Sequence, residues 1–511
     1  MKQKYKKPSF KDYKPQQMML LPPSLEELIA ENHPVRIVNY IMDSLDIQSL
    51  LEKYPGGGAP SYNPRLMLKV WIYGYLRNVY SSRKLEEAIC QNIHFMWLSA
   101  MQEPDHNTLN RFRSGHLKGV LKEVFGHVVE HLVEGGYVSL KEVYVDGTKI
   151  EANANRYTFV WGKSIENNKV KIKKQLQELW EYAQSVAKEE LQTNQPESFE
   201  EINAEKVNQV INRIDSALQG KNICKKKRQK LNYAKKNWPK NLEKYEHQQE
   251  ILNGRNSYSK TDKDATFMRM KEDHMGNGQL KPAYNLQLAT CKQFILNYTI
   301  EQTTTDTTTL IHHLDEFENL YGQYPEVVTA DAGYGSEENY EHLENNEIEA
   351  FVKYNYFHKE QTKKWKENPY RQDNLYYNSE KDCFFCPMGQ KIKNMGKISR
   401  RTSTGYKQTY TLYQAQNCQG CPLRGACHKQ KSNRIIEVNH KLRKHKAKAR
   451  ELLMSEKGME KRSQRPADVE ATFGIIKQNK GFRRFILRGS ENVEVETGLI
   501  AIAHNIAKMC A

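Results

Sequence analysis

The 511-residue sequence lacks any apolar run long enough to be a signal peptide or to span a membrane. Its basic start, MKQKYKKPSFKDYK, is followed only by the short run MMLLPP. Acidic residues are also scarce, at 61 Asp and Glu against 78 Lys and Arg, which leaves a formal net charge of +17. We therefore expect a cytoplasmic protein that binds nucleic acid or another anionic surface. A merely basic soluble protein has the same composition, so composition alone does not distinguish the two.

Cysteine is scarce too, with nine residues, but five of them cluster late in the chain. Cytoplasmic cysteines are mostly reduced, so a cluster indicates metal rather than disulfides. Two CxxC pairs suit a tetrahedral structural Zn²⁺, and the segment KISRRTSTGYKQTYTLY between them is predicted to form a hairpin that joins them. The predicted ligands are Cys383, Cys386, Cys418 and Cys421, with Cys427 as the alternative and His428 beside it. Reduced cysteines without metal are the other interpretation.

Hydrophobic periodicity divides the chain into a helical part and an α/β part. Residues 1–140 are predicted to be helical. Residues 141–511 are predicted to form an α/β domain, with a mixed sheet flanked by helices. Two insertions interrupt it, namely a charged helical segment at 162–256 and a short-stranded, cysteine-rich segment at 355–435. The last 20 residues or so are predicted to form an amphipathic helix packed on the core.

Three segments place an acidic residue beside apolar sequence: EVYVDGTKIEA at 142–152, EVVTADAGYG at 326–335 and RPADVEATFGIIKQNKGFRRF at 465–485. Asp146 and Asp331 are predicted to end buried strands, and Glu470 to lie on a helix. Converging carboxylates repel one another unless metal ions neutralise them. Mg²⁺ prefers oxygen ligands, and two divalent ions about 4 Å apart suit phosphoryl transfer. The pattern predicts metal-dependent chemistry on a polyanion, with DNA as the leading candidate.

Each acid has a competing interpretation. An Asp that precedes Gly after a strand is commonly a turn residue. Asp468 lies two residues from Glu470 and competes with it for the same role. Asp306, in TTTDTTTL, is interpreted as a helix N-cap. Two small residues, Gly147 and Gly333, are expected to leave room for DNA and metal.

Together, the strands VYVDGTKIEA and VTADAGY and the helix ADVEATFGIIKQNKGFRR resemble the bacterial insertion-sequence transposases of the DDE type. The spacing from Glu470 to Lys477 matches that of the family's Glu and Lys. Arg462 and Arg465 precede the acid at a spacing that differs from the family's Tyr and Arg. The segment PDHNTLNRFRSGHL and the cysteine-rich insertion also resemble one branch of these enzymes. The resemblance implies that residues 1–140 bind DNA and that residues 141–511 form the catalytic domain. The resemblance implies an RNase H-like core in which Asp146, Asp331 and Glu470 are catalytic and bind Mg²⁺ or Mn²⁺.

The same resemblance implies a homodimer that binds double-stranded DNA, both element ends and target, in association with the nucleoid. It implies metal-dependent cleavage followed by strand transfer. Residues predicted to contact DNA are Asn107, Arg111, Arg113, Arg465, Lys477, Arg483 and Arg484, and the basic runs at 225–230 and 443–450 are candidates for phosphate contact. The alternatives are an RNase H-like nuclease without strand transfer and a catalytically inactive DNA-binding protein descended from a transposase.

Overall fold

A computed structural model describes residues 24–54, 60–187, 199, 202–270 and 278–511. The basic N-terminal run lies outside these described residues. No helix among them is both long and apolar enough to cross a membrane.

Helices dominate the chain before residue 140. Pro64 begins α3, where the Asn63 side chain accepts a hydrogen bond from the backbone N–H of Arg65 at 2.9 Å. A π-helical turn at Phe112–His116 follows α6 directly. The helices are α1 (Pro34–Ser44), α2 (Gln48–Leu51), α3 (Pro64–Leu76), α4 (Ser82–Gln91), α5 (Ile93–Leu98), α6 (His106–Arg111) and α7 (Leu121–Glu134).

The predicted α/β class with a mixed sheet is confirmed. The six-stranded sheet has the order β4-β5-β1-β7-β8, and β6 also pairs with β5. Pairing is antiparallel among β4, β5, β6 and β1, and parallel from β1 through β7 to β8. The strands are β1 (Glu142–Glu151), β4 (Thr266–Arg269), β5 (Leu280–Cys291), β6 (Phe294–Glu301), β7 (Val327–Ala330) and β8 (Glu349–Val352).

Both insertions have their own hydrophobic cores. The first consists of α8 (Gly162–Val186), α9 (Ala204–Ala217) and α10 (Lys225–Leu252), and it is bounded by the short strands β2 (Phe159–Trp161) and β3 (Ser257–Ser259). In the second, a five-stranded sheet has the order β13-β12-β11-β10-β9. Its strands are β9 (Tyr377–Asn378), β10 (Cys383–Phe385), β11 (Lys391–Arg401), β12 (Lys407–Ala415) and β13 (Ile435–Val438).

The remaining helices lie after residue 305. They are α11 (Leu310–Tyr321), α12 (Glu337–Asn345), α13 (Phe357–Glu360), α14 (Lys363–Lys366), α15 (Arg424–Cys427), α16 (His440–Met454), α17 (Glu456–Arg465), α18 (Ala471–Gly474) and α19 (Ser490–Met509). The amphipathic prediction for the last helix is wrong. Every residue of α19 from 495 to 506 is buried, because α3 and α7 contact the helix in addition to β6.

Candidate active site

Asp146 and Asp331 follow equivalent positions of two neighbouring parallel strands. Val145 of β1 pairs with Ala330 of β7. Asp146 directly follows Val145 in the sequence, and Asp331 directly follows Ala330. β7 ends there, whereas β1 continues to Glu151 and stays paired with β5. The prediction that Asp146 ends its strand is therefore wrong. The parallel neighbour ends instead, so Asp146 lies beside the point where β7 stops.

One guanidinium joins Asp146 to Glu470. Nη2 of Arg465 lies 2.8 Å from Oδ2 of Asp146, and Nη1 lies 2.8 Å from Oε1 of Glu470. The Arg465 side chain is only 6% exposed. Because both nitrogens belong to one planar fork, the two carboxylates lie within roughly 8 Å of each other. Arg465 was predicted to contact DNA, but the structure places it beneath the two acids.

Asp468 is separated from this group although it is close in sequence to Glu470. It is buried, and its Oδ1 accepts a hydrogen bond from Oγ1 of Thr290 at 2.5 Å. Burial raises the pKa of Asp468, and the Thr290 hydrogen bond opposes that shift. The geometry therefore favours Glu470 over Asp468 as the partner of Asp146.

Lys353 was not predicted, and it faces Asp331. Val352 of β8 pairs with Ala330 of β7, so Lys353 and Asp331 follow the same register position. The Lys353 Nζ lies 3.9 Å from Oδ1 of Asp331. Burial lowers the pKa of Lys353, and the Asp331 carboxylate opposes the shift. Its position directly after a buried strand was the available sequence signal.

Asp306 belongs to the same neighbourhood and does not act as an N-cap. Its Oδ1 accepts hydrogen bonds from Nδ2 of Asn285 at 2.8 Å and from Nε2 of Gln287 at 3.1 Å. A Cβ on Gly147 would lie 2.3 Å from that Gln287 nitrogen and 2.6 Å from Oδ1 of Asp306. Gly147 therefore makes room for protein side chains, not for DNA. Gly333 is less constrained, since its nearest contacts would be 3.6 Å away, on Asp306.

These neighbours shift the protonation of Asp146. The pKa of Asp146 is raised to about 6, and burial is the largest cause. Arg465 and the backbone N–H of Gly147 oppose this shift, whereas the carboxylates of Asp331 and Asp306 add to it. The acids thus act on one another electrostatically. Such a cluster favours a bound cation.

The donor types fit Mg²⁺, which takes carboxylate oxygens. In the described part of the chain, however, no group of three or more His, Cys, Asp or Glu side chains is gathered tightly enough to hold a metal ion. Arg465 and Lys353 supply positive charge at the acids instead. The carboxylates of Asp146, Asp331 and Glu470 therefore fit a divalent cation. Its binding would displace Arg465 and Lys353 from these acids.

The prediction that Arg113 contacts DNA is wrong, because its side chain is buried. It is 1% exposed, its guanidinium lies 4.2 Å from the centre of the Trp71 ring, and its Nη1 donates to the carbonyl of Tyr80 at 2.7 Å. The π-helical turn at Phe112–His116 directs it inward. Asn107 and Arg111 are exposed and are four residues apart on α6, so they share one face.

The basic residues after Glu470 lie along β1. Nζ of Lys477 donates to Oγ1 of Thr148 at 2.7 Å, two residues from Asp146. Arg483 is exposed and donates to the Lys477 carbonyl at 3.1 Å. Arg484 lies 3.9 Å from Glu151. These side chains extend a basic surface from the candidate site along the same strand.

The two basic runs differ in their surroundings. Lys225, Lys226 and Arg228 are exposed at the start of α10. In the run at 443–450, Lys448 pairs with Glu344 and Arg450 with Glu360. Part of the second run therefore stabilises the fold.

The predicted hairpin of the cysteine-rich insertion is present as β11 and β12. One cavity there is lined by Cys386, Cys418, Cys421 and Cys427. Cys383 is not among its lining residues and is buried within β10.

Two family models match the chain. A model described as a transposase DDE domain matches residues 385–510, and one described as a transposase domain (DUF772) matches residues 23–115. The first match contains Glu470, whereas Asp146 and Asp331 lie outside both. No curated protein and no solved structure matches the chain.

Proposed function

We propose that this chain, which matches two transposase family models, is an insertion-sequence DDE transposase that cleaves DNA at the ends of a mobile element and joins them to target DNA. The observation that supports the proposal is the Arg465 guanidinium shared by Asp146 and Glu470, beside an Asp331 in register with Asp146. Asp146 and Glu470 are far apart in the sequence, and they share this guanidinium only in the folded chain.

We assign the metal ligands to Asp146, Asp331 and Glu470. Mg²⁺ or Mn²⁺ bound by these carboxylates would supply charge neutralisation and an activated oxygen nucleophile for in-line attack on a phosphodiester. The chain's own contribution is positioning. β1 and β7 hold two acids in fixed register, and the buried Arg465 holds Glu470 close to them.

The proposed DNA path follows the basic side chains that lead from this site. Lys477 lies over Thr148 on the strand that carries Asp146, and Arg483 lies in the non-helical segment that follows the π-helical turn of Lys477. Such cations bind phosphates regardless of base sequence. Recognition of the element ends is assigned to the exposed face of α6 with Asn107 and Arg111, since a helix of this kind can read base edges in the major groove. Synapsis of two ends would require a homodimer.

The test is cleavage by purified protein of a plasmid that carries the DNA flanking its coding sequence, with Mg²⁺ present. Asp146→Asn, Asp331→Asn and Glu470→Gln are each expected to abolish cleavage and to leave DNA binding intact. Asp468→Asn is the matched control, because it changes an acid in the same helical segment that contacts Thr290 instead. Full cleavage by any of the first three variants would remove that residue from the site.

A second assay separates a transposase from a nuclease. Oligonucleotides with pre-cut 3′-hydroxyl ends are expected to become joined to a target plasmid. Cleavage without joining would indicate the nuclease instead, and binding without either would indicate an inactive protein.

A further inference from the structure

We infer that the cysteine-rich insertion binds one Zn²⁺ through Cys386, Cys418, Cys421 and Cys427, and that Cys383 is a packing residue. The paired CxxC spacing predicts Cys383 as a ligand, so the structure changes the ligand set. The inference does not depend on the proposed DNA chemistry.

The sheet topology brings the four thiols to one end of the insertion. Cys386 begins the turn between β10 and β11, where its backbone N–H donates to the Gln390 carbonyl at 2.9 Å. Ile392, at the start of β11, pairs with Ala415, at the end of β12. The loop after β12 therefore lies beside that turn. The loop supplies Cys418 and Cys421, and Cys427 ends the short helix α15 that follows.

The cavity between them is small. It has a volume of about 20 Å³, and about 10–15 Å³ is enough for one water molecule. Four thiolates about 2.3 Å from Zn²⁺ form the usual closed structural site. Cys383 is 3% exposed and pairs with Lys393 and Asn378 inside the sheet, three residues and hence roughly 10 Å from Cys386.

A buried cation at the cavity independently indicates negative charge there. Arg434 is 6% exposed, and its Nη1 donates to Sγ of Cys427 at 3.0 Å. Its backbone N–H also donates to Sγ of Cys418 at 3.4 Å. Its Nη2 donates to the neutral carbonyl of Tyr370 at 2.7 Å, and no carboxylate among the described residues forms an ion pair with it. A buried guanidinium without a counter-charge is costly, and a Zn²⁺ with four thiolates carries a net charge of −2.

His428 is a neighbour of the site and is not counted as a ligand. Its Nδ1 accepts a hydrogen bond from the backbone N–H of Gln430 at 3.2 Å, which in the neutral ring leaves the proton on Nε2. That Nε2 is buried without a partner. A protonated Nε2 cannot bind a metal, but it can donate to a thiolate.

In the described part of the chain, the thiols line the cavity without forming a coordination shell. Zn²⁺ binds deprotonated cysteine, so its uptake releases protons and draws the ligands inward. The four cysteines are partly exposed, which leaves them open to chemical labelling until an ion binds.

The first test measures zinc in purified full-length protein by mass spectrometry of the metal. Wild type and Cys383→Ser are expected to hold one Zn²⁺ per chain, and His428→Ala is expected to keep it. Cys427→Ser is expected to lose most of it. Zinc that is absent from wild type, or lost from Cys383→Ser and kept by Cys427→Ser, would overturn the assignment.

The second test uses unmodified protein, so it does not depend on a variant that folds. Iodoacetamide labelling of native protein is compared before and after chelation with EDTA. Cys386, Cys418, Cys421 and Cys427 are expected to label only after chelation, whereas the exposed Cys90 and Cys224 label in both states. Equal labelling of these four thiols before and after chelation would contradict a shared metal.

Discussion

Replacing Arg113 with methionine removes the cation beside a buried carboxylate. Glu496 on α19 has a fully buried side chain, and its Oε1 lies 3.9 Å from Nη1 of Arg113. Burial raises the pKa of Glu496, and Arg113, the backbone N–H groups of Leu487 and Ile486 and the Tyr75 hydroxyl all lower it. Arg113→Met removes the first of these opposing influences and leaves the others in place.

The size of the effect follows from the two ways in which the variant can respond. Breaking one side of a buried ion pair costs about 3–5 kcal/mol. If Glu496 becomes protonated instead, taking up a proton at about pH 7.5 with an ordinary pKa near 4.3 costs about 4 kcal/mol. We therefore expect Arg113→Met to lower the free energy of unfolding by about 3–4 kcal/mol near neutral pH.

The sign of the pH dependence is also determined. A carboxyl whose folded pKa is raised favours folding most below its unfolded pKa, and this contribution is lost as pH rises through the folded pKa. Because the variant raises the folded pKa of Glu496 further, its deficit is largest at neutral pH. At about pH 5.5 the cost of protonation falls to below about 2 kcal/mol, so the deficit relative to wild type shrinks.

Urea unfolding followed by tryptophan fluorescence measures this, since Trp71 lies against the Arg113 guanidinium. Arg111→Met is the control, and its exposed side chain predicts a change within about 0.5 kcal/mol. The double variant Arg113→Met with Glu496→Gln is expected to recover most of the loss, because it also removes the buried charge. A loss below about 1 kcal/mol, or one that is the same at both pH values, would refute this account.

Three further predictions concern the candidate site and its DNA. Gly147→Ala is expected to cost about 1–3 kcal/mol in thermal unfolding, since the new Cβ would lie 2.3 Å from the Gln287 amide nitrogen; an unchanged Tm would show that the neighbours move freely. Arg111→Ala is expected to weaken binding of element-end DNA about 10-fold or more in a gel-shift assay without changing stability, and equal affinity would remove α6 from the interface. Arg465→Lys is expected to lower the Tm, because the single ammonium nitrogen cannot span two carboxylates as Nη1 and Nη2 of the guanidinium do. Mg²⁺ should raise the Tm of this variant more than that of wild type; an equal shift would separate Arg465 from the metal site.

Local patterns predicted much of this fold because local chemistry determines it. Pro64 after Asn63 marks the start of α3, and the alternating VYV before Asp146 marks β1. The two acids on parallel strands were predictable for the same reason, since each follows buried residues. Lys353 was missed because its role depends on which strand lies next to β7, and strand order cannot be derived from a strand's own residues. Arg113 was misplaced because it resembles any exposed basic residue until the π-helical turn directs it inward.

The role of Arg465 was hidden by a local departure from helical geometry. Five residues span about 1.4 turns of an α-helix, which places Arg465 and Glu470 on nearly opposite faces. Pro466 has no N–H to donate to a residue four positions earlier, and the segment Pro466–Glu470 adopts the wider i→i+5 turn instead. Residues five apart then lie on one side, and Arg465 reaches Glu470 at 2.8 Å. The α-helical period of 3.6 residues therefore does not predict which side chains meet at the candidate site, and π-turns are frequent at functional sites.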